Sequence, residues 1–328
     1  MKALVTGATG FIGGNVVAAL LARGYQVRAL VRHDSPRRNL AGRDVELVVG
    51  DLSDPGSLER ALRGCQVLFH VAAHYALWTP DPARVYETNV RGTANVLAAA
   101  ERVGIERVVY TSSESTVGIA REGALGTEEL FVDPALAVGH YKRSKCLAER
   151  LALGMAAQGL PLVVVNPTTP VGPGDVRPTP TGQIIVDYLK RRMPAYVDTG
   201  LNVVDVGDVA LGHVLALEQG RQGERYILGH RNLTLRELFQ MLERVTGLPA
   251  PRVRMPHGVA LAAAYASELA SRLSRRPPRV PLAGVQVARH YRYFDCSKAL
   301  RELDLPQTSI EDALARAVAW FREEGMVN

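Results

Sequence analysis

Through the first half of the chain, short runs of apolar, β-branched residues alternate with stretches whose apolar positions recur every three to four residues. The runs at 2–6, 26–31, 45–49, 67–72, 107–111 and 162–166 predict strands. Several are apolar almost throughout, as strands buried on both faces of a parallel sheet are. Helical patterns begin near Phe11, Ser57, Arg84 and His140, and Gly24 and Gly64 stand where a left-handed residue ends the first two. The prediction is an α/β fold built on a doubly wound parallel sheet.

Beyond Asn166 the pattern changes. Pro167, Pro170, Pro173, Pro178 and Pro180 mark a connector that a regular strand or helix interior would not tolerate. Helical periodicity over 183–192, 235–246 and 310–324 then predicts a smaller, mainly helical C-terminal lobe, while 209–218 and 226–228 are expected to return to the sheet. The division is therefore 1–175 with 205–229 for the sheet domain, and 176–204 with 230–328 for the lobe. The Ala-rich stretch 259–273 has an apolar face broken only by Glu268 and Arg272 and is followed by Arg275 and Arg276. A core or interface helix is expected there, with peripheral lipid contact as the alternative.

Composition narrows the function. With 328 residues, 47% hydrophobic and 22% charged, the chain can bury a substantial core. The net charge of +6 is spread along the sequence rather than gathered in one run, so solvated faces are expected and nucleic acid is not. Cys65, Cys146 and Cys296 form no CxxC pair, which argues against a disulfide framework or a thiolate metal site and for a reducing cytoplasm. Four glycines (Gly7, Gly10, Gly13 and Gly14) interrupt the apolar start, which reads as structure and not as a removable signal. No uninterrupted apolar run approaches the ~18 residues of a membrane span.

Thr6-Gly7-Ala8-Thr9-Gly10-Phe11-Ile12-Gly13 follows the first strand and opens the first helix, the setting in which a glycine fingerprint means dinucleotide binding. Gly7 permits the tight turn, Gly10 lets backbone approach a pyrophosphate, and Gly13 lets the helix pack on the sheet. The cofactor-binding set expected here is Gly7, Thr9, Gly10, Phe11, Ile12 and Gly13. At the end of the second strand stand Val31 and Arg32 where an acidic residue would hold the ribose hydroxyls of NAD. Arg32 suits a 2′-phosphate, with help from Arg37 and Arg38, so NADP(H) is preferred with NAD(H) possible; a solvated strand-end arginine is the plainer alternative. Asp51-Leu52 ends the third strand, where the carboxylate can accept from an adenine amino group or simply make a turn. Ala72 and Ala73 are small enough for a flat cofactor to lie against the backbone.

Tyr141 and Lys145 are four apart at the start of a helical stretch, hence on one face and one turn apart. A phenol, with a pKa of about 10, is a poor base at neutral pH, but a nearby ammonium favours its phenolate. Tyr141 is thus the expected acid-base group for hydride transfer at a carbinol carbon. Ser113, with Ser112 its close competitor, is expected to hold the substrate oxygen beside the phenol. Asn89 is expected to fix nearby backbone or to hold water in a proton relay. His74, Glu114 and Thr179 are candidate substrate residues, with Tyr75, Trp78 and Arg177, and with Arg177, Arg191 or Arg192 for any substrate phosphate.

Taken together, the glycine turn, Asp51-Leu52, Asn89, the Ser113 cluster and the Tyr141–Lys145 pair resemble an extended short-chain dehydrogenase/reductase. The resemblance covers nearly the whole chain and is nearest to the hopanoid-associated sugar epimerase group, carried by 69–78, 139–145 and 166–173, and more distantly to dihydroflavonol-4-reductase. It implies a Rossmann fold and a Ser113–Tyr141–Lys145 triad, with Lys145 also bonding the nicotinamide ribose, and it supports Arg32 as a 2′-phosphate ligand. It also implies that Pro167 and Thr168 meet the cofactor: because Pro170 lacks an N–H, Thr168 or Thr169 must serve the carboxamide. Asp208 matches the family pattern, whereas the role of Asp205 stays open. Three functions compete. One is a reductase that exchanges its cofactor each turnover, one a nucleotide-sugar epimerase that retains NAD, and one a non-catalytic sensor or assembly protein on the same fold. A homodimer seam over 85–103 and 141–156 is expected as in relatives of this fold.

Overall fold

The computed structural model describes residues 1–120, 123–274, 278 and 280–327, so Arg275 and Arg276 lie outside the described residues. In chain order the N-terminal elements are β1 (Lys2–Thr6), α1 (Phe11–Ala22), β2 (Gln26–Val31), β3 (Glu46–Val49), α2 (Pro55–Leu62), β4 (Val67–His70), α3 (Pro82–Tyr86), α4 (Gly92–Val103), β5 (Arg107–Thr111), α5 (His140–Ala157) and β6 (Leu162–Pro167). There follow β7 (Thr169–Val171), α6 (Pro180–Leu189), β8 (Ala195–Val197), β9 (Gly200–Asp205), α7 (Val206–Glu218), β10 (Arg225–Leu228), β11 (Arg231–Thr234), α8 (Leu235–Thr246), β12 (Val253–Met255), α9 (His257–Ser274), α10 (Leu282–Val287), α11 (Ser297–Leu303) and α12 (Ile310–Glu323).

β1 to β6 and β10 form a parallel seven-stranded sheet in the order β10-β6-β5-β4-β1-β2-β3. This is the Rossmann α/β arrangement. The central strands β4 and β6 are buried along their whole length, as their apolar runs Val67–Phe69 and Leu162–Val165 require. β3 is an edge strand, largely exposed, and its Glu46 carboxylate pairs with Arg28 on the adjoining β2 and with Lys2 on β1 beyond it. One face of the sheet is covered by α1 and α7 through Val16, Val17, Leu20, Val209 and Val214. The other is covered by α2, α4 and α5 through Leu58, Leu62, Val96, Leu97 and Ala152. After the lobe's first elements, α7 packs on this sheet and β10 is its edge strand beside β6.

Two helix starts lie upstream of their expected positions. Asp54 and Asp81 cap α2 and α3, accepting from backbone N–H groups, and each is followed by a proline at the first helical position. The lobe is less purely helical than expected. α6, α8 and α12 pack around Phe239, Leu242, Leu314 and Phe321, but two small sheets, β11-β9-β7 and β12-β8, accompany them. Pro170 sits within β7, tolerated because β7 is the edge of its sheet. Pro180 opens α6.

Candidate active site

The chain turns from β1 into α1 at Gly7, whose φ of 71° is left-handed. A Cβ there would stand 2.6 Å from the Ala72 nitrogen, so both conformation and space demand glycine. Gly13 is tighter still, since its Cβ would meet the Gly7 carbonyl oxygen at 2.1 Å. Gly10 caps α1 with no side-chain hydrogen bond, and no carboxylate stands in the first turn. The Phe11, Ile12 and Gly13 amides at this helix start have no intrahelical acceptor, and the helix dipole adds positive potential. An uncapped, carboxylate-free helix start behind a turn that admits no Cβ at Gly7 or Gly13 fits the pyrophosphate of a dinucleotide. Thr9 lies in the turn, and its carbonyl accepts from Asn39 Nδ2 at 3.4 Å.

Beside the turn, the C-terminal ends of β2, β3 and β4 gather the other expected residues. Arg32 is exposed directly after β2. Arg38, expected to help it, pairs with Glu324 at 2.5 Å and stays 60% exposed. Asp51 accepts from the Ser53 amide and hydroxyl at 2.9 and 2.7 Å; these bonds, then the charges of Arg32 and Arg84, hold its carboxyl below the ordinary range. The Leu52 carbonyl accepts from Asn95 at 2.8 Å. Ala72 is clasped under Gly7, its amide donating to Thr6 Oγ1 at 3.2 Å, and Ala73 is exposed at the same edge.

Asn89 lies in a π-helical turn between α3 and α4. Its side chain accepts from the His74 amide at 2.7 Å, donates to the His74 carbonyl at 3.1 Å and donates to Ser144 Oγ at 2.9 Å. Backbone clamping, of the two roles expected, is what its contacts show. The clamp joins the loop after β4 to the helix that carries Tyr141.

Ser113 follows β5, and Tyr141 and Lys145 lie on the first turns of α5. The Tyr141 ring meets Tyr75 edge-on, with centroids 4.4 Å apart. Burial raises the phenol pKa; a hydrogen bond with Ser113 opposes this, and Glu114 adds to it. The expected lowering of that pKa by Lys145 is not what the contacts give. Lys145 Nζ donates instead to Thr111 O at 2.8 Å and Tyr110 Oη at 3.1 Å, and burial brings its own pKa down to about 8, with Glu149 opposing. Ser112, the competitor of Ser113, is buried with no protein partner for Oγ. Glu114 is held by Arg292 at 2.6 Å; burial would raise its carboxyl, but Arg292 and Lys142 outweigh it and keep it charged.

Two expectations find other uses. The Thr168 amide and hydroxyl both donate to Leu228 O, at 3.1 and 3.4 Å, which ties β6, ending at Pro167, to β10. Its N–H is therefore not a free donor for a carboxamide. Thr179 caps α6 by accepting from Gly182 N and donates to Asp175 at 2.8 Å, so its side chain serves the start of the helix. Asp205, left open by the sequence, caps α7 and pairs with Arg316 at 2.6 Å.

Sequence reasoning missed four supporting groups. Tyr110 anchors Lys145. His70, pushed down to about 3 chiefly by burial and then by Lys145, bridges Thr6 Oγ1 and Thr93 Oγ1 at 2.8 and 3.0 Å. Asn39 Nδ2 donates to Gly10 O and Gly174 O at 3.1 and 2.9 Å, roping the glycine turn to the start of the lobe. Arg292 reaches Glu114 from the lobe. Only Tyr110, next to the Ser113 cluster, carried a local signal; the others join positions far apart in sequence.

The arrangement offers a protonated phenol beside a hydroxyl, over a sheet edge fit for a dinucleotide. Comparison with known proteins agrees. The chain is 50% identical over 327 residues, covering 98% of itself and 95% of the relative, to a Synechocystis sp. protein provisionally named dihydroflavonol 4-reductase. It is 39% identical over 329 residues, with both chains covered in full, to sterol demethylase protein B of Methylococcus capsulatus. A nucleoside-diphosphate-sugar epimerase from Pseudomonas aeruginosa superposes with a TM-score of 0.82 at 29% identity, covering 100% of this chain and 99% of its own. A profile of the NAD dependent epimerase/dehydratase family matches residues 3–229, so the chain belongs to that family and is an NAD(P)-dependent enzyme of the short-chain dehydrogenase/reductase type.

Proposed function

We propose that the protein is an NADP(H)-preferring reductase, working reversibly between a carbonyl and a secondary alcohol in the manner of a dihydroflavonol 4-reductase. The observation that carries this reading is the Tyr141 phenol at the start of α5, its ring against Tyr75, with burial raising its pKa and so favouring the protonated form. A phenol that holds its proton at neutral pH is set to give it to a carbonyl oxygen, the direction of reduction. The nicotinamide cofactor supplies or accepts the hydride. Gly7, Thr9, Gly10, Phe11, Ile12 and Gly13 would hold its pyrophosphate, Asp51, Leu52, Ala72 and Ala73 its adenosine side, and Lys145, with Pro167, the nicotinamide side, while Asn89 and Thr168 act through the backbone they tie, His74 and Leu228. Ser113 orients the substrate oxygen, and His74 and Glu114 border the space beyond it. Arg32, exposed and without a carboxylate at the end of β2, supports the 2′-phosphate. We place the enzyme in the cytoplasm, in keeping with its three free, buried cysteines, as a homodimer across α4 and α5, with the lobe of 176–204 and 230–328 selecting the substrate.

A nucleotide-sugar epimerase that retains NAD is the second reading, favoured by the family profile and by the Pseudomonas structure. Denaturing the purified protein and identifying any nicotinamide released, then titrating NADPH and NADH, separates the two. Empty protein binding NADPH at least about tenfold more tightly, about 1.4 kcal/mol, with Arg32→Asp reversing the order, is expected. Near-stoichiometric release of NAD would instead select the epimerase.

A further inference from the structure

α9 breaks the rule that a surface helix is polar on its solvent side. Its inner face, Ala260 and Ala264, packs on Val285 of α10 with Leu261 and Leu282 alongside. Its outer face carries Val259, Ala262, Tyr265, Ala266, Leu269 and Ala270, all exposed, and every exposed residue from 258 to 270 is Gly, Ala, Val, Leu or Tyr. Val259, Tyr265 and Leu269 stand 56%, 55% and 63% exposed, far above what a monomer's core-facing side chains show. A helix apolar on both sides wants a second apolar phase. The surrounding sequence says which. Between 252 and 289 the sequence has seven arginines (252, 254, 272, 275, 276, 279 and 289) and one carboxylate, Glu268; Arg254 is paired with Asp198 at 2.6 Å, while Arg252 and Arg289 are exposed.

We propose that the outer face of α9 docks on an anionic phospholipid bilayer, lying in its interface and drawn there by the net positive charge of the 252–289 sequence. The face is too short in apolar length to cross: among the described residues no helix is long and apolar enough to do so. A second copy of the chain is the weaker occupant, since a two-fold contact would bring two copies of the same cationic segment together. Shallow insertion of an apolar face together with basic flanks is how an interfacial helix binds anionic membranes. The position has a consequence for access. A Cβ on Gly139, two residues before Tyr141, would lie 3.6 Å from Ala283 of α10, and one on Gly284 would lie 3.7 Å from Leu77. α10 thus borders the active-site mouth on one side and α9 on the other, so a docked α9 puts that mouth one helix from the bilayer surface.

Flotation of the full-length protein with vesicles of phosphatidylcholine, with and without phosphatidylglycerol, tests this directly. Binding is expected only with phosphatidylglycerol, reversed by high salt, and weakened at least about tenfold by Leu269→Asp and by Val259→Asp with no fall in Tm. Leu269→Trp should show a blue-shifted emission on the same vesicles alone. No binding, equal binding to both compositions, or variants that bind as the parent would overturn the proposal. So would a dimer dissociated by Leu269→Asp in a protein that ignores vesicles, which would assign the face to a second copy.

Discussion

Tyr141 and Asp175 show how burial sets the behaviour of a single group. Tyr141→Phe removes the phenol while leaving the ring against Tyr75, so kcat is expected to fall by about 10² to 10⁴ with dinucleotide Kd unchanged, read by steady-state kinetics and titration. Asp175 is buried and its carboxyl is pushed up to about 6 by burial, with the Thr179 amide and hydroxyl opposing. Its folded-state pKa lies above the unfolded value, so between pH about 4 and about 6 the folded protein binds more protons than the unfolded chain. Stability from this group is therefore lost as pH rises through that window. Asp175→Asn keeps an acceptor for Thr179 and sheds the charge; it should raise stability at pH 7 by on the order of 2 kcal/mol and by nothing below pH about 4, measured by denaturant melts across pH. Neither effect was legible at the residue itself, since burial belongs to the neighbours.

At the scale of elements, α1 rests on two glycines with different duties. Gly13 has no room for a Cβ, whereas Gly24 past the end of the helix has a φ of 78° and open space around it. Gly13→Ala must move the Gly7 carbonyl, so dinucleotide affinity is expected to drop at least about tenfold along with a loss of about 1–3 kcal/mol in stability. Gly24→Ala should cost about 1 kcal/mol and leave the affinity alone. Calorimetric titration and thermal melts distinguish the two. The strand-turn-helix spacing made this element readable before any coordinates, because it is local. The starts of α2 and α3 are equally local: the Asp54-Pro55 and Asp81-Pro82 caps set them upstream of the apolar periodicity. β7 was not readable: Pro170 argues against a strand, and only its place at a sheet edge permits one.

Across the whole molecule, the Ser113 end of β5 is braced from behind by a buried ion pair. Arg225 of β10 and Glu149 of α5 lie 3.0 Å apart, 4% and 1% exposed, and Glu149 also accepts from Thr116 and Asn166. Asn166 in turn donates to the Ser113 carbonyl at 3.1 Å. Removing one charge by Glu149→Gln strands the guanidinium and should cost about 3–5 kcal/mol, whereas Glu149→Leu with Arg225→Met should cost much less, by equilibrium unfolding in urea. Such a network joins residues far apart in the chain, and no window of sequence shows it.

What the sequence determined alone is what local chemistry dictates: the parallel sheet from apolar runs, the dinucleotide turn from glycine spacing, and Tyr141 with Lys145 on one helical face. Tertiary structure decided what those groups meet. Lys145 turned to Tyr110 and Thr111, Asn89 clamped His74, Thr168 was spent on β10, Thr179 on a helix cap, and Arg292 crossed from the lobe to Glu114. The reason is physical: periodicity and turn geometry act over a few residues, but hydrogen-bond partners and desolvation are set by whatever the fold brings within about 3 Å.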